Sequence, residues 1–223
     1  MKYRLVLVLI LSVIVLAMCL SPYSGKNDTG LPGNETPIEI SQLFEPQGNE
    51  YDGWIKFYTN DSKYYTPWGY TLWTYTAKPS GSFTERTVRL YKTTGDIIAG
   101  YGVIICSDQQ FIEGKLQTVF LTVMINNNGQ YSVGKVIDAN YLSLEKWKYC
   151  ASLNKAQGNE NTIRILKDTS VANKYYLFFN EMDEGLFFVD NIAPYCNAGK
   201  DGYIVVISPS DLNKSSVEVW FKE

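Results

Sequence analysis

Histidine is absent from all 223 residues. That removes the commonest general base, the commonest zinc ligand and the side chain that most readily changes charge near neutral pH. Any catalysis would fall to carboxylates or a tyrosine. Positive charge is also scarce: 20 Lys and Arg against 23 Asp and Glu leave a net charge of −3 and a pI near 5.2. A nucleic-acid binder carries a basic stripe, so that class of partner is excluded. Helical periodicity is missing as well, since no long segment repeats apolar residues at helical spacing. Cysteines number only 4.

A long apolar run occurs in one place, at the start. Lys2 and Arg4 precede Leu5–Met18, which is apolar apart from Ser12, and Cys19 follows. A basic start with a short apolar core reads as an export signal. Leu16-Ala17-Met18-Cys19 resembles a lipobox, although Met18 stands where a small residue is usual. The expectation is therefore a signal peptide over 1–18, lipidation at Cys19 and a membrane partner through that anchor. An ordinary signal and a retained anchor are the other readings. Residues 19–37 are rich in Ser, Gly, Asn, Thr and Pro and read as a flexible tether. The predicted location is the cell envelope or surface.

From residue 38 to 223 the pattern is β. The stretch Gly100–Val136 shows it best. Tyr101–Cys106 and Val119–Asn126 read as strands on either side of a polar link. Asn126-Asn127-Asn128-Gly129 then turns the chain into a third strand, Tyr131–Ile137, because Asn and Gly tolerate positive φ. In Thr84–Tyr91, Val88 and Leu90 share one face while Thr87, Arg89 and Tyr91 share the other. Val119, Leu121, Val123 and Ile125 share a face, as do Ile163 and Ile165. Tyr175–Phe179 and Tyr203–Ile207 are apolar on both faces, and Val217, Val219 and Phe221 alternate with Glu218, Trp220 and Lys222. Many short strands without helices predict an all-β antiparallel sandwich in a single domain.

The order of these motifs is what carries a family resemblance. GYGVIICSDQQ, FLTVMINNNGQYSVGKV, Trp147, GNENTIRIL, YYLFFNEM, DGYIVVIS and VEVWF in turn resemble the concanavalin A-like jelly roll, nearest to laminin-G-like domains. In that comparison Asn128–Tyr131 holds the hairpin, Asn161–Ile165 the next strand and Asn180 the following turn, with Glu181 where Gly is usual. The resemblance implies a sandwich that binds glycan or a surface protein. Retaining glucanases of the superfamily use Glu-x-Asp-x-x-Glu on one strand. Glu181-Met182-Asp183-Glu184 has the last Glu two residues too early and reads as an acidic turn. Some laminin-G-like domains hold Ca²⁺, but Asp96, Asp108 and Asp138 form no ligand pattern, so neither metal nor cofactor is expected.

Aromatic residues are plentiful between Trp54 and Tyr75. Sugar C–H faces stack on such rings, and Asn or Asp can take the hydroxyls. Trp54, Trp68, Trp73, Tyr64, Tyr65, Tyr70, Asn60 and Asp61 are the ligand-binding candidates; the competing reading places the rings in the core. Trp147 reads as a core plug. Of Cys106, Cys150 and Cys196 only two can pair within the chain, and spacing alone does not choose among the pairings. Cys150 with Cys196 is the preferred disulfide, both lying in loop-like segments, with Cys106 left as a free core thiol. The leading functional expectation is a surface-tethered, non-enzymatic binding module. A carbohydrate-active hydrolase and a structural envelope protein are the alternatives.

Overall fold

In the segment Glu85–Thr94 alternate side chains from Arg86 to Lys92 are buried, with the apolar Val88 and Leu90 in the middle of that row. The chain is described by a computed structural model over residues 52–60, 71–79, 84–137, 140–171, 174–182, 186–189, 199–213 and 216–223. The signal, the tether, Cys19, Asp61, Tyr64, Tyr65, Trp68, Tyr70, Asp138, Asp183, Glu184 and Cys196 lie outside the described residues. The strands are β1 (Ile55–Thr59), β2 (Thr71–Pro79), β3 (Glu85–Thr94), β4 (Tyr101–Ile112), β5 (Lys115–Ile125), β6 (Gln130–Ile137), β7 (Asn140–Tyr149), β8 (Asn161–Lys167), β9 (Lys174–Phe179), β10 (Leu186–Val189), β11 (Lys200–Ile207) and β12 (Val217–Lys222). They form two six-stranded sheets. The first runs β1-β12-β3-β8-β9-β10 and the second β2-β11-β4-β5-β6-β7, with antiparallel neighbours in both. The antiparallel sandwich expected from the sequence is therefore the observed fold.

Between the sheets, Phe57, Val88, Leu90, Ile163, Leu177 and Phe221 of the first meet Tyr101, Val103, Val123, Val133, Tyr203 and Val205 of the second. Burying each such side chain is worth roughly 1.5–3 kcal/mol, so this layer dominates stability. The inner row of β3 holds two residues that apolar alternation alone does not anticipate. Arg86 reaches across to the second sheet, donating to the carbonyls of Ile104 (2.8 Å) and Gly202 (3.3 Å) and pairing with Glu223 at 2.7 Å. Lys92 is fully buried and donates to the carbonyls of Asp96 (2.6 Å) and Ala99 (3.3 Å). Buried cations are tolerable only when their donors are used, and both satisfy that condition.

Asn126–Gly129 makes the expected hairpin, but by a different device. Among these four only Gly129 has positive φ, at 75°. Asn126 instead acts through its side chain, its Oδ1 accepting from the amides of Asn128 (3.1 Å) and Gln130 (3.0 Å). The expected polar link between residues 106 and 119 is not a loop. A bulge near Cys106, whose φ is 59°, bends β4 where the expected strand ended, and pairing with β5 then resumes. Glu113 and Gly114, with φ of 50° and 80°, close a two-residue turn of the kind that twisted hairpins favour.

The cysteine assignment is corrected. Cys150 carries a free thiol, half-buried against the core, with its Sγ 3.0 Å from Ser152 Oγ. Cys106 is the disulfide-bonded residue, so the roles expected for these two are reversed. A strand end does not exclude a bridge when a bulge turns the side chain away from the regular pleat.

Candidate ligand-binding face

The outer face of the first sheet is built by residues that alternate with its core. On β12, Glu218, Trp220 and Lys222 are half-buried while Val217, Val219 and Phe221 are buried. Because β12 lies between β1 and β3, its register sets Trp220 opposite Lys56 on one side and Tyr91 on the other. Trp54, just ahead of β1, joins them. The Tyr91 and Trp220 rings stack at 6.0 Å with 12° between planes, and Trp54 meets Tyr91 edge-on at 5.1 Å. Tyr58, exposed, extends the group on β1.

Cations sit against these rings. Lys56 Nζ lies 4.9 Å from the Trp220 ring centre and 5.2 Å from that of Tyr58. Arg89 and Lys222 approach the Trp54 ring at 5.3 and 5.8 Å. Such contacts hold rings upright at roughly 0.5–1 kcal/mol each. Every one of these cations is also paired with a carboxylate: Lys56 with Glu218 at 3.0 Å, Arg89 with Glu160 at 2.6 Å and Lys222 with Asp52 at 3.3 Å. Arg164 with Glu85 (3.2 Å) and Lys174 with Asp168 (3.4 Å) continue the pattern across β8 and β9. The face therefore presents aromatic surface and many donors and acceptors with its charge locally balanced.

Glu218 links rings to cation. Its Oε1 accepts from Trp220 Nε1 at 2.8 Å and Thr93 Oγ1 at 2.9 Å. Burial pushes its carboxyl up, but hydrogen bonds from Trp220, Lys56 and Thr93 outweigh that and hold it below the usual carboxylate range. Hydrogen bonds from Ser170 and Tyr176 likewise hold Asp168 far down. Glu181 lies on a turn after β9, exposed, with φ 59°. Its place next to Asn180, φ 52°, explains why Gly is usual there: both residues are left-handed.

Of the predicted ligand residues, the structure brings Trp54 to this face and leaves Asn60 exposed just beyond β1. Trp73 is corrected: it is 2 % exposed and packs on Phe57 at 4.7 Å inside the sandwich. β2 turns that side chain inward, so it cannot stack on a ligand. Trp147 is more open than a core plug, 37 % exposed, and a Cβ at Gly100 would lie 2.9 Å from its ring. Tyr91 and Trp220 were missed as candidates, whereas Tyr58 belongs to the aromatic stretch between Trp54 and Tyr75. The outward phase of Trp220 and Tyr91 was visible in the alternation, but their meeting across β12 and β3 depends on strand order. The backbone carbonyl of Asp96 accepts from Lys92 Nζ at 2.6 Å. Among the described residues no group of three or more His, Cys, Asp or Glu gathers to hold a metal ion.

Strand order and pairing define the molecule as a two-sheet antiparallel β-sandwich with an aromatic, charge-balanced outer face. No family model and no curated protein matches the sequence. Solved structures with a similar course include one described with endo-acting O-glycanases of the human gut microbiota. It is 10% identical, with 86% of this chain and 94% of that one covered and a TM-score of 0.46. A Bacillus licheniformis β-glucanase is 6% identical, with 76% and 77% covered and a TM-score of 0.45. The Caenorhabditis elegans galectin LEC-6 is 11% identical, with 77% and 99% covered and a TM-score of 0.38. The class stands on this chain's own strand pairing.

Proposed function

We propose that this chain is an exported, membrane-tethered sandwich of the concanavalin A-like kind that binds uncharged glycan on the outer face of its first sheet. The observation that carries the reading is the convergence of Trp54, Tyr91 and Trp220 with exposed Tyr58 on one face whose cations are each matched by a carboxylate. Aromatic rings receive sugar C–H faces, and the flanking Thr93, Glu218 and Lys56 supply hydroxyl partners. Charge balance favours a neutral glycan over a polyanion, which would find no unopposed cation among these pairs. The signal over 1–18 and lipid at Cys19 belong to the same proposal and place the site outside the cell membrane. Among the described residues no helix is long and apolar enough to cross a membrane.

A glycan array with the wild type and Trp220→Ala tests the site. Neutral oligosaccharides should bind the wild type, with at least about a tenfold loss in the variant if one stacking contact of ~1.4 kcal/mol is removed. An array with no hit above background, or hits untouched by Trp220→Ala, would overturn it.

A further inference from the structure

The far end of the β4–β5 hairpin leaves the sandwich. β4 pairs with β11 only as far as Ser107, and β5 pairs with β6 only as far as Val119. Beyond those points Asp108–Ile112 and Lys115–Thr118 pair with each other and, among the described residues, with no third strand. Two strands alone gain little stability in water, so an arm of this kind is commonly shortened or covered. This one instead carries its most apolar pair in the open. Phe111 and Leu116 lie directly opposite each other, 77 % and 62 % exposed.

The arm's position in the fold indicates its partner. β12 runs antiparallel to β3, so Lys222 and Glu223 lie at the Glu85 end of the first sheet. β1 begins beside them, with Ile55 opposite Phe221, and Lys222 bonds to Asp52. Glu223 in turn is joined through Arg86 to Ile104 and Gly202 of the second sheet, next to the bulge from which the arm departs. The first described residue, Asp52, and the arm therefore occupy the same end of the sandwich. The described chain thus begins at that end, and the 51 residues that precede Asp52 in the sequence include the apolar run Leu5–Met18.

We infer that the β4–β5 arm is a second membrane contact, laying Phe111 and Leu116 on the lipid surface to which residues 1–19 anchor the chain; this rests on the anchor reading above. One anchor alone leaves a domain free to tumble, whereas a second weak contact held close by a tether of about 25 Å span acts at high effective concentration. The contact is interfacial. Phe111 and Leu116 project from one face of the arm, whose two long edges meet no further strand among the described residues, and peptide groups left open in that way cannot enter hydrocarbon. Exposed Glu113 and Lys115 at the apex keep it at headgroup depth. The Asn126–Gly129 hairpin lies at the opposite end of β5, ten or more residues along the chain from Leu116.

The test uses the full-length chain in phosphatidylcholine vesicles. In a Cys150→Ser background, an environment-sensitive dye is placed on Leu116→Cys or, as control, on Asn128→Cys at the far end. Vesicle flotation reports the anchor and iodide quenching reports the arm. In floated protein the dye at 116 should shift to the blue and lose iodide quenching, the dye at 128 should keep it, and adding Phe111→Ser should restore quenching at 116. Floated protein in which 116 is as open to iodide as 128 overturns the arm while leaving the anchor standing. Protein that does not float overturns both. Protection at 116 that needs no vesicles and grows with protein concentration assigns the arm to a second copy of the chain, and overturns the lipid contact.

Discussion

The two outer faces of the sandwich are built on opposite principles. On the first sheet, strands bury every second residue and leave Lys56, Arg89, Tyr91 and Trp220 half in water. On the second, Ile104, Phe120, Met124, Val136, Ile204 and Val206 form a second buried apolar cluster on the side away from the main core, with Leu72 and Tyr141 packed against it. A sheet wetted on one face reads as alternation; a sheet buried on both reads as an unbroken apolar run, as in Tyr203–Ile207. The first sheet can therefore carry recognition chemistry in the open, while the second is committed to packing.

That contrast is sharpest where a side chain is removed. Ile204→Ala on the second sheet should cost about 2–5 kcal/mol in urea denaturation, since a fully buried side chain leaves a cavity. Thr87→Ala on the first sheet's outer face should change stability by no more than about 0.5 kcal/mol. Equal losses at the two sites would erase the distinction. Adding atoms probes the same packing. A Cβ at Gly134 would overlap the Tyr141 ring, whose hydroxyl lies 2.6 Å from Ser132 Oγ. Gly134→Ala should lower stability by roughly 1–3 kcal/mol and shift the near-ultraviolet circular dichroism of the tyrosines.

A smaller effect sharpens the view of the first sheet. Glu218→Gln should cost about 1 kcal/mol at pH 7, because a charge-assisted acceptor for Trp220, Thr93 and Lys56 is weakened. The folded carboxyl sits below its unfolded value, so its contribution is present above the unfolded pKa and is lost as pH falls through the folded one. The gap between wild type and variant should therefore close well below the ordinary value of about 4.3. A gap that is the same at neutral and acid pH would show that the negative charge of Glu218 contributes nothing. Opposite in sign, Glu181→Gly should raise stability by about 0.5–1 kcal/mol, because a left-handed φ of 59° strains any residue with a Cβ. Its thermal midpoint would move upward.

The legible parts are those governed by neighbours along the chain. The faces of β3, β5, β8 and β12, the Asn126–Gly129 turn and the left-handed turn at Asn180 all follow from local spacing and turn chemistry. Sequence leaves Trp73 open between ligand face and core because an aromatic-rich stretch reads alike whether its rings point inward or outward, and the partner Phe57 is distant from it only in sequence. The β4–β5 arm reads as a link in the sequence because its polar composition conceals a paired strand.

The sequence by itself determined that the chain is a stack of antiparallel strands and which residues of most strands lie on a common face, since pleating imposes a period of two on every strand. Tertiary structure alone decided that β12 inserts between β1 and β3, and with it that Trp220 meets Tyr91 and Lys56 meets Glu218. Residues far apart in the chain become neighbours through the order in which strands exchange hydrogen bonds, and that order is settled by the packing of the whole core.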